Sequence, residues 1–210
     1  MDFVLPSQGG GKAIFCTSTI KGEGKTFISL NVSLAMASLN KKVLLIGADL
    51  RNPQLHTYAK INKNQQGLSN FLINPTLDWK PLTVQVFEKQ PNHEVLFSGA
   101  IPPNPAHLLA NGNFETLIKE AKSLYDYVIV YLAPTILVTD TLLVAHLADA
   151  TICVVRANHT DKKLIPFSMN LSKTSRLKNM TYVINGVKEN RSYGYSYNYG
   201  YNYGYGDVES

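Results

Sequence analysis

Residues 12–17, KAIFCT, make an apolar run of strand length that leads directly into Thr19-Ile-Lys-Gly-Glu-Gly-Lys25-Thr26. Beyond Lys25, Phe27, Leu30, Leu34 and Ala37 recur at helical spacing to about Asn40. A strand, a glycine-rich turn and a helix in that order constrain this chain more than any other feature. The glycines let successive backbone N–H groups turn toward one point, where the helix N-terminus adds the positive end of its dipole. Lys25 adds a full charge and Thr26 a hydroxyl. Such a loop is suited to a nucleotide, with Lys25 on the β- and γ-phosphates and Thr26 toward Mg2+. Lys21, Gly22, Glu23, Gly24, Lys25, Thr26 and Phe27 are the candidate nucleotide-binding residues here. The first glycine of the strict pattern is replaced by Thr19.

The next segment is VLLIGAD, 43–49, apolar without alternation, as in strands covered on both faces of a parallel sheet. With the first strand and helix it makes a βαβ unit, whose crossover is right-handed. Further on, GLSNFLIN (67–74) reads as a short helix, and TVQVF (83–87) and EVLFSG (94–99) as strands. A helix is expected from near Asn104, and FETLIKEAKSLY (114–125) is an amphipathic one. YVIVYLAP (127–134) is a strand and loop, VTDTLLVAHLAD (138–149) a helix and ATICVVRA (150–157) a buried strand. A basic helix over 160–178, started or interrupted at Pro166, precedes the last strand, TYVINGV (181–187). This alternation predicts an α/β fold, a doubly wound, mainly parallel sheet of seven or eight strands with helices on both faces.

Asp49 and Arg51 close the second strand, at the sheet edge where open α/β folds bind ligands. In isolation such a pair makes a turn or a salt bridge; beside a phosphate loop Asp49 is placed to hold Mg2+ or its water. The corresponding end of the strand 127–131 is Tyr131, where phosphate-loop enzymes carry an acid. Asp140 reads as a helix N-cap, with γ-phosphate sensing as the alternative.

The net charge of +5 is mild and scattered, which suits a phosphate ligand or an anionic membrane surface and makes no case for nucleic acid. Cys16 and Cys153 both lie in buried apolar runs and read as reduced core thiols in a reducing compartment. No apolar run reaches the roughly 18 residues a spanning helix needs, so the chain itself is expected to be soluble. Residues 1–11 look like a linker, an abrupt opening expected of a piece of a longer protein, with the main domain over 12–190. The final segment, 191–210, alternates tyrosine with Gly, Ser and Asn, with Tyr193, Tyr195, Tyr197, Tyr199, Tyr201, Tyr203 and Tyr205 at every second position. Almost free of aliphatic residues, it is expected to be disordered.

Together these pieces resemble the cytoplasmic kinase domain of the bacterial tyrosine kinases of capsule and exopolysaccharide synthesis, a branch of the P-loop NTPases. The resemblance rests on TSTIKGEGKTFISLNVSLAMA, VLLIGADLRNPQLH, SGAIPPNPAHLL, YDYVIVYLAPTILVTDTLLVAHLADATICVVRA, YVINGV and the tyrosine tail, and so covers essentially the whole chain. Related partition and septum-positioning ATPases lack such a tail, and carry a signature lysine where this chain has Ile20. The resemblance implies ATP and Mg2+ as cofactors, with Lys25, Asp49 and Arg51 catalytic, Thr26 and Asp49 near the metal and Asn185 near adenine. It implies phosphorylation of the tail tyrosines between subunits of a homo-oligomeric ring. Its implied partners are a membrane-spanning chain-length regulator and a tyrosine phosphatase, with no nucleic acid, on the cytoplasmic side of an inner membrane. The chain departs from the family pattern at Gly47 and Tyr131, both usually aspartate, at His107, usually glutamate, and at Lys21, usually proline. Two readings follow, an active tyrosine autokinase and a nucleotide-binding pseudokinase that serves as a scaffold. A third, a module that self-associates through its tail, is opposed by the phosphate loop.

Overall fold

The computed structural model describes residues 10–59, 65–136 and 139–188. The tyrosine-rich segment, its seven candidate acceptors and most of the opening linker lie outside the described residues.

Seven strands form one sheet: β1 (Lys12–Ser18), β2 (Val43–Gly47), β3 (Thr83–Val84), β4 (His93–Leu96), β5 (Tyr127–Tyr131), β6 (Ala150–Arg156) and β7 (Met180–Asn185). Their spatial order is β3-β4-β2-β5-β1-β6-β7. Every pairing is parallel except β3 with β4 at one edge. The helices are α1 (Lys25–Ser38), α2 (Leu55–Ala59), α3 (Leu68–Ile73), α4 (Pro105–Ala110), α5 (Asn113–Leu124), α6 (Asp140–Val144) and α7 (Ile165–Lys173). The expected fold class is the one found.

Side-chain alternation along each strand divides the core in two. Ala13, Phe15, Leu44, Ile46, Val128 and Val130 pack with Phe114, Leu117, Ile118 and Ala121 of α5, above buried Trp79. Ile14, Cys16, Val43, Leu45, Ile129 and Tyr131 face the opposite way, onto Leu30, Met36 and Ala37 of α1. Both faces of the three central strands are therefore covered, which is why their sequences are apolar without alternation. Both cysteines are buried and free, and burial pushes the Cys16 thiol up to about 12.

Several elements are shorter than their sequence patterns. The strand expected over 83–87 keeps two residues, because Val86 and Phe87 turn in to pack on the α1 side of the sheet. The helix expected over 138–149 is α6 followed by a 3-10 turn at Ala145–Leu147. The basic helix begins with a 3-10 turn at Lys162–Leu164, and Pro166 sits in the first turn of α7, where its missing N–H costs nothing. Phe27, expected on the apolar stripe of α1, is 49% exposed.

His93, the first residue of β4, is fully buried. Ser33 of α1 donates its one proton to the Leu30 carbonyl at 2.7 Å, so the His93 Nε2–H is the donor in its 2.8 Å contact with the Ser33 oxygen. Nδ1 then carries a lone pair, and the imidazole is neutral. Burial lowers its pKa to about 4, with Glu94 opposing part of the shift. Because the folded value lies below the unfolded one, the unfolded chain binds more protons between them, and stability is lost as pH falls. The urea midpoint, followed by the emission of Trp79, is expected to drop between about pH 6.5 and 4. His93→Gln should flatten that part of the profile; an unchanged slope would remove His93 as its cause.

Candidate nucleotide site

Residues 19–24 cross the carboxyl edge of the sheet between β1 and α1. Gly22 and Gly24 take φ of 85° and 95°, backbone that favours glycine, and Gly24 caps α1. A Cβ on Gly24 would lie 2.0 Å from the Asn185 amide nitrogen, so the position requires glycine on space as well.

The loop is held from behind by the ends of β6 and β7. Glu23 is fully buried; its carboxylate accepts from the Ile20 N–H at 2.9 Å and from the Thr160 hydroxyl. The Glu23 carbonyl accepts from the Asn185 side chain at 3.0 Å. Arg156 donates to the Gly22 carbonyl at 3.0 Å, and the His159 ring meets the Lys21 carbonyl at 3.1 Å. Carbonyls are thus tied back toward the neighbouring strands.

In front of the loop lies an open cleft of about 680 Å3. It is lined by Lys21, Gly22, Gly24, Lys25, Thr26 and Phe27, by Asp49 and Arg51 after β2, and by Tyr131, Ala133 and Pro134 after β5. Glu23 and Asn185, both expected to touch nucleotide, do not line it; they stand behind the loop and shape it. Asn52, Gln54, Tyr58 and His159 line it and were not read from the sequence. The one usable signal was position, since His159 follows β6 at the same sheet edge.

At the cleft floor three side chains meet. Lys25 is 6% exposed, with its ammonium 5.9 Å from the centre of the Tyr131 ring. The Tyr131 hydroxyl donates to Asp49 Oδ2 at 3.3 Å, with the Thr26 side chain beside the same phenol. Asp49 Oδ1 accepts from the Asn52 N–H at 3.0 Å. Burial lowers the Lys25 pKa and raises that of Asp49, and each charge partly offsets the other's shift. Burial, reinforced by the Asp49 carboxylate, also holds the Tyr131 phenol above its ordinary range. The phenol is therefore a neutral donor, and it occupies the approach to Asp49.

Mg2+ takes near-octahedral oxygen ligands, usually one or two carboxylates with waters and substrate phosphates. Thr26 and Asp49 are the expected types, but each Asp49 oxygen already accepts one hydrogen bond and the Tyr131 phenol stands where a second carboxylate would be. Gly47, in register with Tyr131, brings no second carboxylate. As the side chains stand, this donor set does not fit the ion.

Arg51 is engaged as well. Its guanidinium binds Asp140 through two hydrogen bonds, 2.7 and 3.0 Å, and Asp140 is 2% exposed. Asp140 is therefore an ion-pair partner rather than the N-cap expected; Thr139 holds the cap position.

A parallel sheet, a glycine-bent loop at its carboxyl edge and a lysine-floored cleft define a P-loop nucleotide-binding domain. The AAA domain family matches residues 11–175. The tyrosine-protein kinase YwqD of Bacillus subtilis (strain 168) is 34% identical over 187 residues, covering 88% of this chain and 77% of the relative. The tyrosine-protein kinase CpsD of Streptococcus agalactiae serotype III (strain NEM316) is 32% identical over 184 residues, covering 87% and 78%. The solved kinase domain of the Escherichia coli tyrosine kinase ETK superposes with a TM-score of 0.78 at 28% identity, covering 91% of this chain and 73% of that one. The chain belongs to the bacterial tyrosine-protein kinases.

Lys25→Met keeps the side-chain length and removes the charge. ATP affinity, measured by calorimetry, is expected to fall at least about tenfold, the equivalent of roughly 1.4 kcal/mol. Unchanged affinity would place the nucleotide elsewhere.

Proposed function

We propose that this domain binds ATP in the cleft at the carboxyl edge of the sheet and acts as a protein-tyrosine autokinase in capsular or exopolysaccharide synthesis. Its acceptors are the tyrosines from Tyr193 to Tyr205 of another copy. The observation that carries this reading is the cleft itself, where a glycine-bent phosphate loop ends on a buried lysine in a chain of the tyrosine-kinase family. In this reading Lys25 and the loop N–H groups hold the β- and γ-phosphates. Asp49 and Arg51 face the reacting phosphate from the end of β2. An acceptor phenol oxygen bonds to the γ-phosphorus as the bond to the β–γ bridging oxygen breaks. ADP leaves with that electron pair and the phenol releases its proton. Transfer takes place on the cytoplasmic side of an inner membrane, in a ring of copies served by a membrane-spanning chain-length regulator and reset by a tyrosine phosphatase. Among the described residues no helix is long and apolar enough to cross a membrane.

One contact favours a second reading. Tyr131 holds Asp49 where the family pattern has an acid, which supports a nucleotide-binding pseudokinase or scaffold that presents its tail to another kinase. Incubation with Mg·ATP followed by intact mass and peptide mapping separates the two. The autokinase reading expects phosphate on the tail; no mass gain under conditions where ATP binds would establish the pseudokinase.

Deleting 192–206 should abolish phosphotyrosine while leaving ATP affinity unchanged. Phosphate mapped mainly to Tyr58 or Tyr182 would count against the tail as acceptor.

Tyr131→Asp restores the acid of the family pattern and removes the donor that holds Asp49. The rate in a timed anti-phosphotyrosine assay is expected to rise at least about tenfold, or roughly 1.4 kcal/mol off the barrier. Tyr131→Phe controls for loss of the hydroxyl alone. An Asp variant no faster than the parent would remove Tyr131 as the limiting feature.

A further inference from the structure

The groups that would hold phosphates and those that would hold a metal have different fates here. The first set is intact. The second is closed by contacts within the domain.

Each Asp49 oxygen accepts one hydrogen bond, Oδ1 from the Asn52 N–H at 3.0 Å and Oδ2 from the Tyr131 hydroxyl at 3.3 Å. Tyr131 is 2% exposed, and its backbone is fixed on both sides. It stands in register with Cys16 of β1 and Gly47 of β2, and its carbonyl accepts from the Ala48 N–H at 2.8 Å. The ring belongs to the packed cluster that includes Ile14, Leu30 and Ile129.

The neighbouring position offers no substitute. A Cβ on Gly47 would lie 2.8 Å from the Ser98 hydroxyl and 3.2 Å from a Leu55 methyl, so the space of a second carboxylate has been closed by packing. Among the described residues no group of three or more His, Cys, Asp or Glu side chains is arranged to hold a metal ion.

We infer that Tyr131 makes nucleotide binding at this cleft independent of a divalent metal. Its phenol fills the place beside Asp49 and Thr26, and Lys25 with the loop N–H groups supplies the charge that phosphates require. This rests on the reading of the cleft as the nucleotide site. Loop amides and a lysine hold phosphate without an ion. A neutral phenol also adds no negative charge to that of Asp49, whereas a second unmetallated carboxylate there would increase the repulsion of phosphates.

The test is calorimetric titration of the unaltered protein with ATP and with ADP, once with excess Mg2+ and once with EDTA. The two affinities are expected to agree within about twofold, less than 0.5 kcal/mol. An affinity that rises tenfold or more with Mg2+, about 1.4 kcal/mol, would overturn the inference while leaving the nucleotide site in place. Tyr131→Asp should gain metal dependence of at least about tenfold, and Tyr131→Phe, which keeps the ring, should not. A metal-independent Tyr131→Asp protein would assign the property to another residue and would also overturn it. The unaltered pair of titrations stands whether or not the variants fold. Absence of binding in both buffers would defeat the nucleotide reading itself, as would binding that survives Lys25→Met.

Discussion

A buried carboxylate with no solvent exposure organises the functional edge of this domain. Glu23 lies inside the phosphate loop, yet its side chain turns away from the cleft and takes hydrogen bonds from Ile20 and Thr160. A buried carboxylate is tolerable only when hydrogen bonds replace its water, so the loop must keep the path that provides them. The Glu23 carbonyl, pulled back by Asn185, ties the same residue to the last strand. The loop is thus shaped before any ligand arrives, and binding need not meet the entropic cost of ordering it. Gly22 and Gly24 are the complement of this arrangement, since only glycine takes both the backbone angles and the closeness of His159 and Asn185.

The two departures from the family pattern are a single structural event. Gly47 and Tyr131 are Cα partners across β2 and β5, and in a parallel sheet registered residues project to the same face. Ser98, donating to the Gly47 carbonyl at 2.7 Å, and Leu55 pack close to Gly47. Restoring an acid at Gly47 therefore meets packed atoms, while Tyr131 borders an open cleft on one side. The two positions are chemically similar in the family and physically different here.

Much of the fold was legible because its signals are local. The loop glycines, the unbroken apolar strands and the helical spacing of α1 and α5 each depend on a few adjacent residues. What the sequence did not reveal depends on contacts between distant segments. Val86 and Phe87 look like strand, but they leave the ladder to fill space over α1. Phe27 has core spacing, but it begins the helix at the edge of the cleft, where no layer covers it. Glu23 was read as a nucleotide contact and Asn185 as lying near adenine, yet in the folded chain both stand at the back of the loop. His159 had no motif to mark it.

The charge arrangement at the cleft follows the same logic as its packing. Arg51, the residue best placed to extend positive charge beyond the loop, is bound through two bonds to Asp140 at the start of α6. Asp140 is nearly fully buried, whereas Arg51 is 45% exposed, so the pair is held mainly by the needs of the carboxylate. Freeing Arg51 would strand a buried anion, a penalty larger than an exposed ion pair returns. A phosphate entering the cleft competes with Asp140 only if it offers Arg51 more than the carboxylate does. Lys25 has the Tyr131 ring face beside it and feels the Asp49 carboxylate across the cleft floor. Of the cations that line the cleft, Lys25 is buried at its floor, Lys21 stands on the loop and Arg51 is held by a neighbouring helix.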